Sequence, residues 1–179
     1  VYLLDLRETE IVRSVETPLG DPAPIAPALS GSVAVAFDRS GRAAGVDIDS
    51  GELLWQQRVA ESAPAAEPVV AGGVIYFTAG ESLHAIDARD GTAPFDPLSP
   101  VSTPPLYRGG TLFAGREASL LEIDRSTGSM RRRLELPAAA SGRPAARGEL
   151  VFLGSEEGSI FIINRTGWSG ISPSGQSGD

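Results

Sequence analysis

The sequence contains no cysteine. A disulfide framework, a thiolate metal site and a cysteine nucleophile are all excluded. Lysine is missing too, since all 15 basic residues are arginine. That removes a Schiff-base lysine and a phosphate-loop lysine, and it reads as the mark of a GC-rich genome. Histidine and asparagine occur once each, at His84 and Asn164. No apolar run approaches the ~20 residues of a membrane span. Positive charge is scarce: the net charge is −8, which argues against a general nucleic-acid role, because phosphate binding needs a basic face. The chain opens on Val1-Tyr2-Leu3-Leu4, without an initiator methionine and already in a strand-like pattern. It reads as a processed or trimmed piece of something longer, so the lack of a signal peptide carries no information.

What is abundant is glycine and proline, 21 and 14 in 179 residues, beside 41% apolar residues. This is a globular composition with enough length for a real core. The glycines and prolines recur in step. The acidic residue that ends a strand-like run appears at Asp5, Asp47, Asp87 and Asp124, with Asn164 in the last copy, at steps of 42, 40, 37 and 40. Turn glycines at Gly51, Gly91, Gly128 and Gly167 step by 40, 37 and 39. Upstream prolines at Pro27, Pro68, Pro105 and Pro144 keep the same period, each followed by a glycine: Gly31, Gly73, Gly110 and Gly148. A period of about 40 belongs to blade-type or helical repeats. Short β-branched runs bounded by Gly and Pro favour strands.

Each repeat reads as four antiparallel strands, so the predicted fold is an all-β propeller of four-stranded blades, with about four blades present. The first strands are predicted at Ala26–Leu29, Pro68–Val70, Pro105–Tyr107 and Pro144–Ala146. The second, most apolar strands fall at Val33–Phe37, Val74–Phe77, Thr111–Phe113 and Leu150–Leu153. Third strands follow at Ala43–Asp47, Leu83–Asp87, Leu120–Asp124 and Ile160–Asn164, and fourth strands at Glu52–Arg58, Thr92–Phe95 and Ser129–Leu136. Counting third-strand starts near residues 2, 43, 83, 120 and 160 places the repeats in 1–171 and leaves 172–179 as a Gly/Ser-rich tail, with Trp168 and Ile171 available for one more strand.

The Asp-x-x-x-Gly turn has a physical rationale. A carboxylate at the end of a strand accepts backbone N–H groups two residues on, and a glycine four residues later takes φ > 0 to launch the next strand. Trp55 lies four after Gly51, Phe95 four after Gly91 and Arg132 four after Gly128. Alternation predicts that Leu53 and Trp55 share a face, and that Arg132 shares one with Met130 and Leu134.

Val46-Asp47-Ile48-Asp49-Ser50-Gly51-Glu52-Leu53-Leu54-Trp55, Ala85-Ile86-Asp87-Ala88-Arg89-Asp90-Gly91 and Leu121-Glu122-Ile123-Asp124-Arg125-Ser126-Thr127-Gly128 resemble the repeat of the pyrroloquinoline-quinone-like (PQQ-like) β-propellers. The resemblance implies that the Asp-x-x-Thr-Gly-x-x-x-Trp segment docks one blade on the next. It assigns structural docking roles to Asp47, Gly51, Trp55, Asp87, Gly91, Phe95, Asp124, Gly128, Asn164 and Gly167. The pattern loosens where Thr9 replaces glycine after Asp5, where Asn164 lies three before Gly167, and where Phe95 and Arg132 replace tryptophan. Rings of this family have seven or eight blades, so the chain is expected to be an arc or fragment of one. Closing the N-terminal pair onto the C-terminal strands would leave Ile160–Ile163 redundant with Tyr2–Leu6. An open arc leaves blade edges to be covered by a protein partner or by remaining blades.

Candidate chemistry is thin. A quinone enzyme needs a Ca²⁺ site of carboxylate and amide oxygens, an acidic base and a quinone clamp, and the adjacent cysteine pair of many such enzymes is missing. Asp47-x-Asp49-x-Gly51 hints at a calcium loop, but the sixth and twelfth places hold Glu52 and Arg58 where glycine and glutamate are required. Turn capping explains the motif better. Glu135 stands twelfth from Asp124, but Gly128 and Ser129 break the rest of that pattern. His84, on a third strand, has no evident partners for a triad or a metal and reads as a structural or surface histidine. Arg131 and Arg133 are the candidate interaction surface, on a strand otherwise read as a solvated face. No catalytic, cofactor or metal residues are assigned. The chain resembles the family's scaffold members, such as the lipoprotein of the outer-membrane barrel-assembly machine, more than its dehydrogenases. That resemblance implies a non-catalytic, protein-binding module in a periplasmic or otherwise extracytoplasmic, membrane-associated complex. The alternatives are part of a PQQ-dependent dehydrogenase and the ligand-sensing ectodomain of a membrane protein.

Overall fold

The computed structural model describes residues 2–5 and 10–167, with side chains from residue 14 on. The tail at 172–179, Trp168 and Ile171 lie outside the described residues. So does Thr9, one of the departures from the repeat. Among the described residues there is no α-helix; one 3₁₀ turn, Arg165–Gly167, is the only helical element. No described helix is long and apolar enough to cross a membrane.

Two strands open the chain, β1 (Tyr2–Asp5) and β2 (Glu10–Ser14), paired antiparallel. A four-stranded sheet follows: β3 (Ala28–Ser30), β4 (Val33–Phe37), β5 (Arg42–Asp47) and β6 (Leu53–Arg58), hydrogen-bonded in that order. The next sheet has three strands, β7 (Val69–Ala71), β8 (Val74–Ala79) and β9 (Ser82–Asp87). A second four-stranded sheet comprises β10 (Leu106–Arg108), β11 (Thr111–Gly115), β12 (Ser119–Asp124) and β13 (Met130–Glu135). The last contains β14 (Ala140–Arg147), β15 (Leu150–Ser155) and β16 (Ile160–Asn164). Each is an up-and-down antiparallel meander, the form of a propeller blade.

The chain divides into two compact units. One runs to Gly80 and takes in His84–Asp96; the other takes in Glu81–Leu83 and runs on from Pro97. In the first, Val35, Phe37, Ala43, Ile75, Phe77 and Ile86 form a single core cluster that joins the β3–β6 sheet to the β7–β9 sheet. In the second, Phe113, Leu120, Val151, Leu153 and Ile163 do the same for the β10–β13 and β14–β16 sheets. Burial grades across each blade. The second strands β4, β8 and β11 are almost wholly buried, whereas the fourth strands β6 and β13 are largely exposed. A strand covered on both faces must be apolar throughout, and a strand at the rim need not be.

Three sequence expectations change. Thr92–Phe95 forms no strand; the third sheet closes with an isolated bridge between Leu83 and Leu98. The turn before it is followed by Pro94 and Pro97, which cannot donate to a ladder. The first strand of the last blade is not Pro144–Ala146 but the eight-residue β14. Its pairing skips from Ser141 to Ala145, so that Gly142, Arg143 and Pro144 bulge out of the ladder and proline is tolerated there. Finally, β6 and β13 each carry a bulge: Val46 pairs Leu53 while Gly45 pairs Trp55, and Ile123 pairs Met130 while Glu122 pairs Arg132. Directly opposed residues share a side. Leu53 and Trp55 therefore lie on opposite sides, and so do Met130 and Arg132, because the extra residue (Leu54 or Arg131) shifts the alternation by one.

Candidate functional site

The repeated turn after each third strand is built alike in three blades. At Asp47 the backbone closes through Gly51 N–H to the Asp47 carbonyl (2.8 Å) and Asp47 N–H to the Glu52 carbonyl (3.0 Å). The corresponding bonds are 2.9 and 2.7 Å at Asp87, and 2.9 and 2.8 Å at Asp124. Gly51, Gly91 and Gly128 have φ of 79°, 76° and 68°, the left-handed region that glycine enters without strain. The carboxylate is held inside its own turn. Asp47 Oδ1 accepts from the N–H groups of Asp49 (3.0 Å) and Ser50 (2.7 Å) and from the Ser50 hydroxyl (3.0 Å). Asp87 Oδ1 accepts from Arg89 N–H at 2.8 Å. Asp124 Oδ1 accepts from Ser126 N–H (2.8 Å) and Thr127 N–H (3.1 Å), and Arg131 grips its Oδ2. The Ser50 N–H and hydroxyl hold the Asp47 carboxyl below the usual carboxylate range. The Ser126 hydroxyl and N–H, then Arg131, hold Asp124 further below it. Asn164 accepts Thr166 N–H at 3.0 Å in the same way, but its Gly167 lies in the 3₁₀ turn and outside the left-handed region.

Trp55 is the point where one blade of the first unit meets the next. Its indole N–H donates to the Ala88 carbonyl at 2.8 Å, inside the Asp87–Gly91 turn of the following blade. Gln57, two residues on, donates through Nε2 to the Gly91 carbonyl. Two glycines make room for the ring. A Cβ on Gly45, which opposes Trp55, would fall 2.2 Å from the indole nitrogen; one on Gly91 would fall 2.8 Å from the ring and 2.6 Å from Gln57 Nε2. Gly45 and Gln57 were missed by sequence reasoning. An isolated glycine inside a strand is the available signal for Gly45, because it marks a close approach. Gln57 has no such signal.

Phe95 stacks on Tyr76 with ring centroids 6.5 Å apart, within its own blade. At the matching place in the second unit, Arg132 Nε sits 3.8 Å from Glu122 Oε2, with Glu122 where the first blade has Gly45. Arg131 binds Asp124, and Arg133 Nε meets Glu135 Oε1 at 2.7 Å and the Ser119 hydroxyl at 3.0 Å. The positive charge of Arg131 and Arg133 is thus matched on the spot by carboxylates. In this unit the contact from the last turn runs the other way: Arg165 lies over the Phe113 ring, 5.1 Å from its centroid.

His84 is half-buried and stacks on Phe77 at 5.2 Å and 10°, while Phe77 meets Phe37 edge-on at 5.1 Å. Burial lowers its pKa, against hydrogen bonds to the backbone at Ala79 and Val59. Among the described residues no three His, Cys, Asp or Glu side chains are placed to hold a metal ion. Asp38, unremarked in the sequence, is a second capping carboxylate: it accepts from Ser40 N–H (2.9 Å), Ser40 Oγ (2.7 Å) and Arg42 N–H (3.0 Å). Burial pushes its pKa up, and these bonds more than offset that. A polar hollow of about 430 Å³ lies between the glycine turns at Gly31 and Gly73, beside Asp87 and Arg89. Its lining residues are mostly glycine and serine, with Asp87 already engaged in its own turn.

Four-stranded meanders, a forty-residue period and turn-capping aspartates beside a docked tryptophan define a PQQ-like β-propeller repeat protein. The sequence pattern of the family described as outer membrane protein assembly factor BamB matches residues 7–99, and the chain belongs to that family. BamB of Yersinia pestis is 35% identical over a stretch covering 37% of this chain and 20% of its own length. The crystal structure of BamB from Moraxella catarrhalis superposes with a TM-score of 0.64 at 22% identity, covering 76% of this chain and 44% of that one. The computationally designed Ika4 protein gives 0.65 at 14% identity, covering 84% and 99%. The chain therefore spans a fifth of the curated relative and under half of the solved BamB chain. Its open sheets of three and four strands fit part of a larger propeller.

Proposed function

We propose that this chain is a non-catalytic scaffold module that takes part in outer-membrane protein assembly, outside the bacterial cytoplasm, by presenting rim strands and turns to partner proteins. The observation that carries this reading is the use made of the carboxylates. Asp47, Asp87 and Asp124, the motif residues best suited to bind a metal or act as a base, each commit Oδ1 to N–H groups of their own turn, and Asp47 and Asp124 commit Oδ2 to Ser32 and Arg131. The lowered pKa of Asp47 and Asp124 suits a cap, whereas a general base needs a pKa near the working pH. The docking roles of Trp55 with Gly51 and Gly91, and of the weaker Phe95, Asn164 and Gly167 positions, belong to the same proposal. So does the rim of β13, where Arg131 and Arg133 face solvent beside their carboxylate partners.

The test is co-purification. The tagged protein, expressed in a Gram-negative host, is cross-linked in the periplasm and recovered from solubilised membranes. Recovery of outer-membrane assembly components is the expected result; their absence under conditions that recover the host's own BamB would refute the assembly role. Titration with pyrroloquinoline quinone and Ca²⁺, followed by a dye-linked alcohol assay, separates this reading from the quinone enzyme. Saturable binding with turnover would overturn the non-catalytic assignment.

A further inference from the structure

One niche of the repeat is filled in the second unit and open in the first. It lies between the turn that joins the first two strands of one blade and the matching turn of the next blade. In the second unit these turns are Gly109-Gly110 and Gly148-Glu149; in the first they are Gly31-Ser32 and Gly72-Gly73. The residue after the capping Asn164 or Asp87 joins the second turn by the same bond. Arg165 N–H donates to the Glu149 carbonyl at 2.9 Å, and Ala88 N–H donates to the Gly73 carbonyl at 2.9 Å. The places therefore correspond one to one. In the second unit an ion pair occupies the space. Arg165 Nη1 lies 3.9 Å from Glu149 Oε2 and 3.8 Å from where a Cβ on Gly109 would stand, and the guanidinium covers the Phe113 ring. The first unit has Ala88 and Gly73 in the places of Arg165 and Glu149. A Cβ on Gly31 or Gly73 would meet nothing within 4 Å, and the hollow of about 430 Å³ is left between the turns.

The open niche has charges of its own. Asp87 and Arg89 both line it. Asp87 Oδ1 takes the Arg89 N–H, but among the described residues neither Asp87 Oδ2 nor the Arg89 guanidinium has a hydrogen-bond or ion-pair partner. At Asp47 and Asp124 the second oxygen is taken by Ser32 and Arg131. Gly73 stands in its turn where Ser32 stands in the preceding one, and it has no hydroxyl to offer Asp87. Two opposite charges thus border one hollow without pairing. We propose that this niche binds a small zwitterion of the amino-acid type, with its cationic nitrogen on Asp87 and its carboxylate on Arg89. Bonds between ionised partners are the strong ones, and a guanidinium matches a carboxylate with two parallel N–H groups. The ligand brings from outside the cation and carboxylate that Arg165 and Glu149 supply in the second unit. The inference does not depend on any role in outer-membrane assembly.

NMR of the isotope-labelled chain, titrated with free L-arginine, tests it. Saturable shifts confined to the amides of Gly31, Ser32, Gly73 and Arg89 are expected. Agmatine, which lacks the carboxylate, and valerate, which lacks the cation, should each bind about tenfold more weakly, the worth of one hydrogen bond to a charged group. Arg89→Gln should weaken L-arginine by about the same factor and leave agmatine as it is, whereas Asp87→Asn should weaken both. Arg39→Gln, at another exposed arginine of the same unit, should change nothing. Shifts that never saturate or that spread over the whole unit would overturn the inference. So would agmatine binding as tightly as L-arginine, or an equal loss in the Arg39 variant. If Asp87→Asn fails to fold for want of its cap, the Arg89 variant decides alone, and unchanged L-arginine affinity there is the refuting result.

Discussion

The Trp55 corner of the first unit and the Arg132 corner of the second occupy the same place in the repeat and use different chemistry. Both stand four residues after the turn glycine, just past a one-residue bulge. Trp55 faces Gly45, and its ring fits between two glycines and donates to the Ala88 carbonyl. Arg132 faces Glu122 and is 47% exposed in a loose ion pair. The difference teaches that the tryptophan alone is not the docking device. The device is a ring together with the missing Cβ atoms that admit it. Where Glu122 stands in place of Gly45 there is no slot, and a long cation beside a carboxylate is what the site accepts.

The comparison can be broken at several points. Trp55→Ala should have the largest effect, about 3 kcal/mol in urea unfolding, because it opens a cavity and strands the Ala88 carbonyl. A loss under about 1 kcal/mol would mean the blades hold without it. Gly45→Ala comes next, at about 2 kcal/mol, since the new methyl lands on the indole. The same substitution paired with Trp55→Ala should cost less than the sum of the two, and strict additivity would sink the slot model.

Acid titration compares the turns themselves. The folded pKa values of Asp47 and Asp124 lie below the unfolded value, so the unfolded chain binds more protons in that window. Their contribution is complete above about pH 4 and is lost as pH falls through the folded values. Asp124→Asn should flatten the acid limb of the stability curve more than Asp47→Asn, because Asp124 has Arg131 as well. Equal slopes would contradict that ranking. Arg132→Ala should change stability by no more than about 0.5 kcal/mol, as expected for a half-exposed ion pair. A cost as large as that of Trp55→Ala would restore equivalence between the two corners. The smallest effect belongs to His84. Its lowered folded pKa means stability is complete above about pH 6.5 and declines as pH falls through the folded value. His84→Phe should remove that slope, and thermal melts between pH 5 and 7 would show whether it does.

Much of the architecture was legible because a repeat multiplies weak signals. One Asp-x-x-x-Gly is a turn; Asp47, Asp87 and Asp124 in register are a blade period. Third and second strands were read closely for the same reason, since Val33–Phe37 and Ile160–Asn164 are apolar runs with turn residues at both ends. The reading failed where a local rule met a tertiary one. Pro94 and Pro97 cancelled the fourth strand near Phe95, the bulges at Leu54 and Arg131 shifted the alternation, and Gly142–Pro144 left the ladder without ending β14. Bulges leave no periodic mark of their own.

The amino-acid sequence by itself determined the period, the turn chemistry and the membership of strands, because these depend on side chains a few residues apart. It also determined what could not be present, from cysteine chemistry to lysine chemistry. Only the tertiary structure decided which turn receives Trp55 and which carbonyl accepts its N–H. The contacts of Trp55 with Ala88 and Gly91 join residues more than thirty positions apart. They depend on how one sheet lies against the next, and no local propensity encodes that geometry.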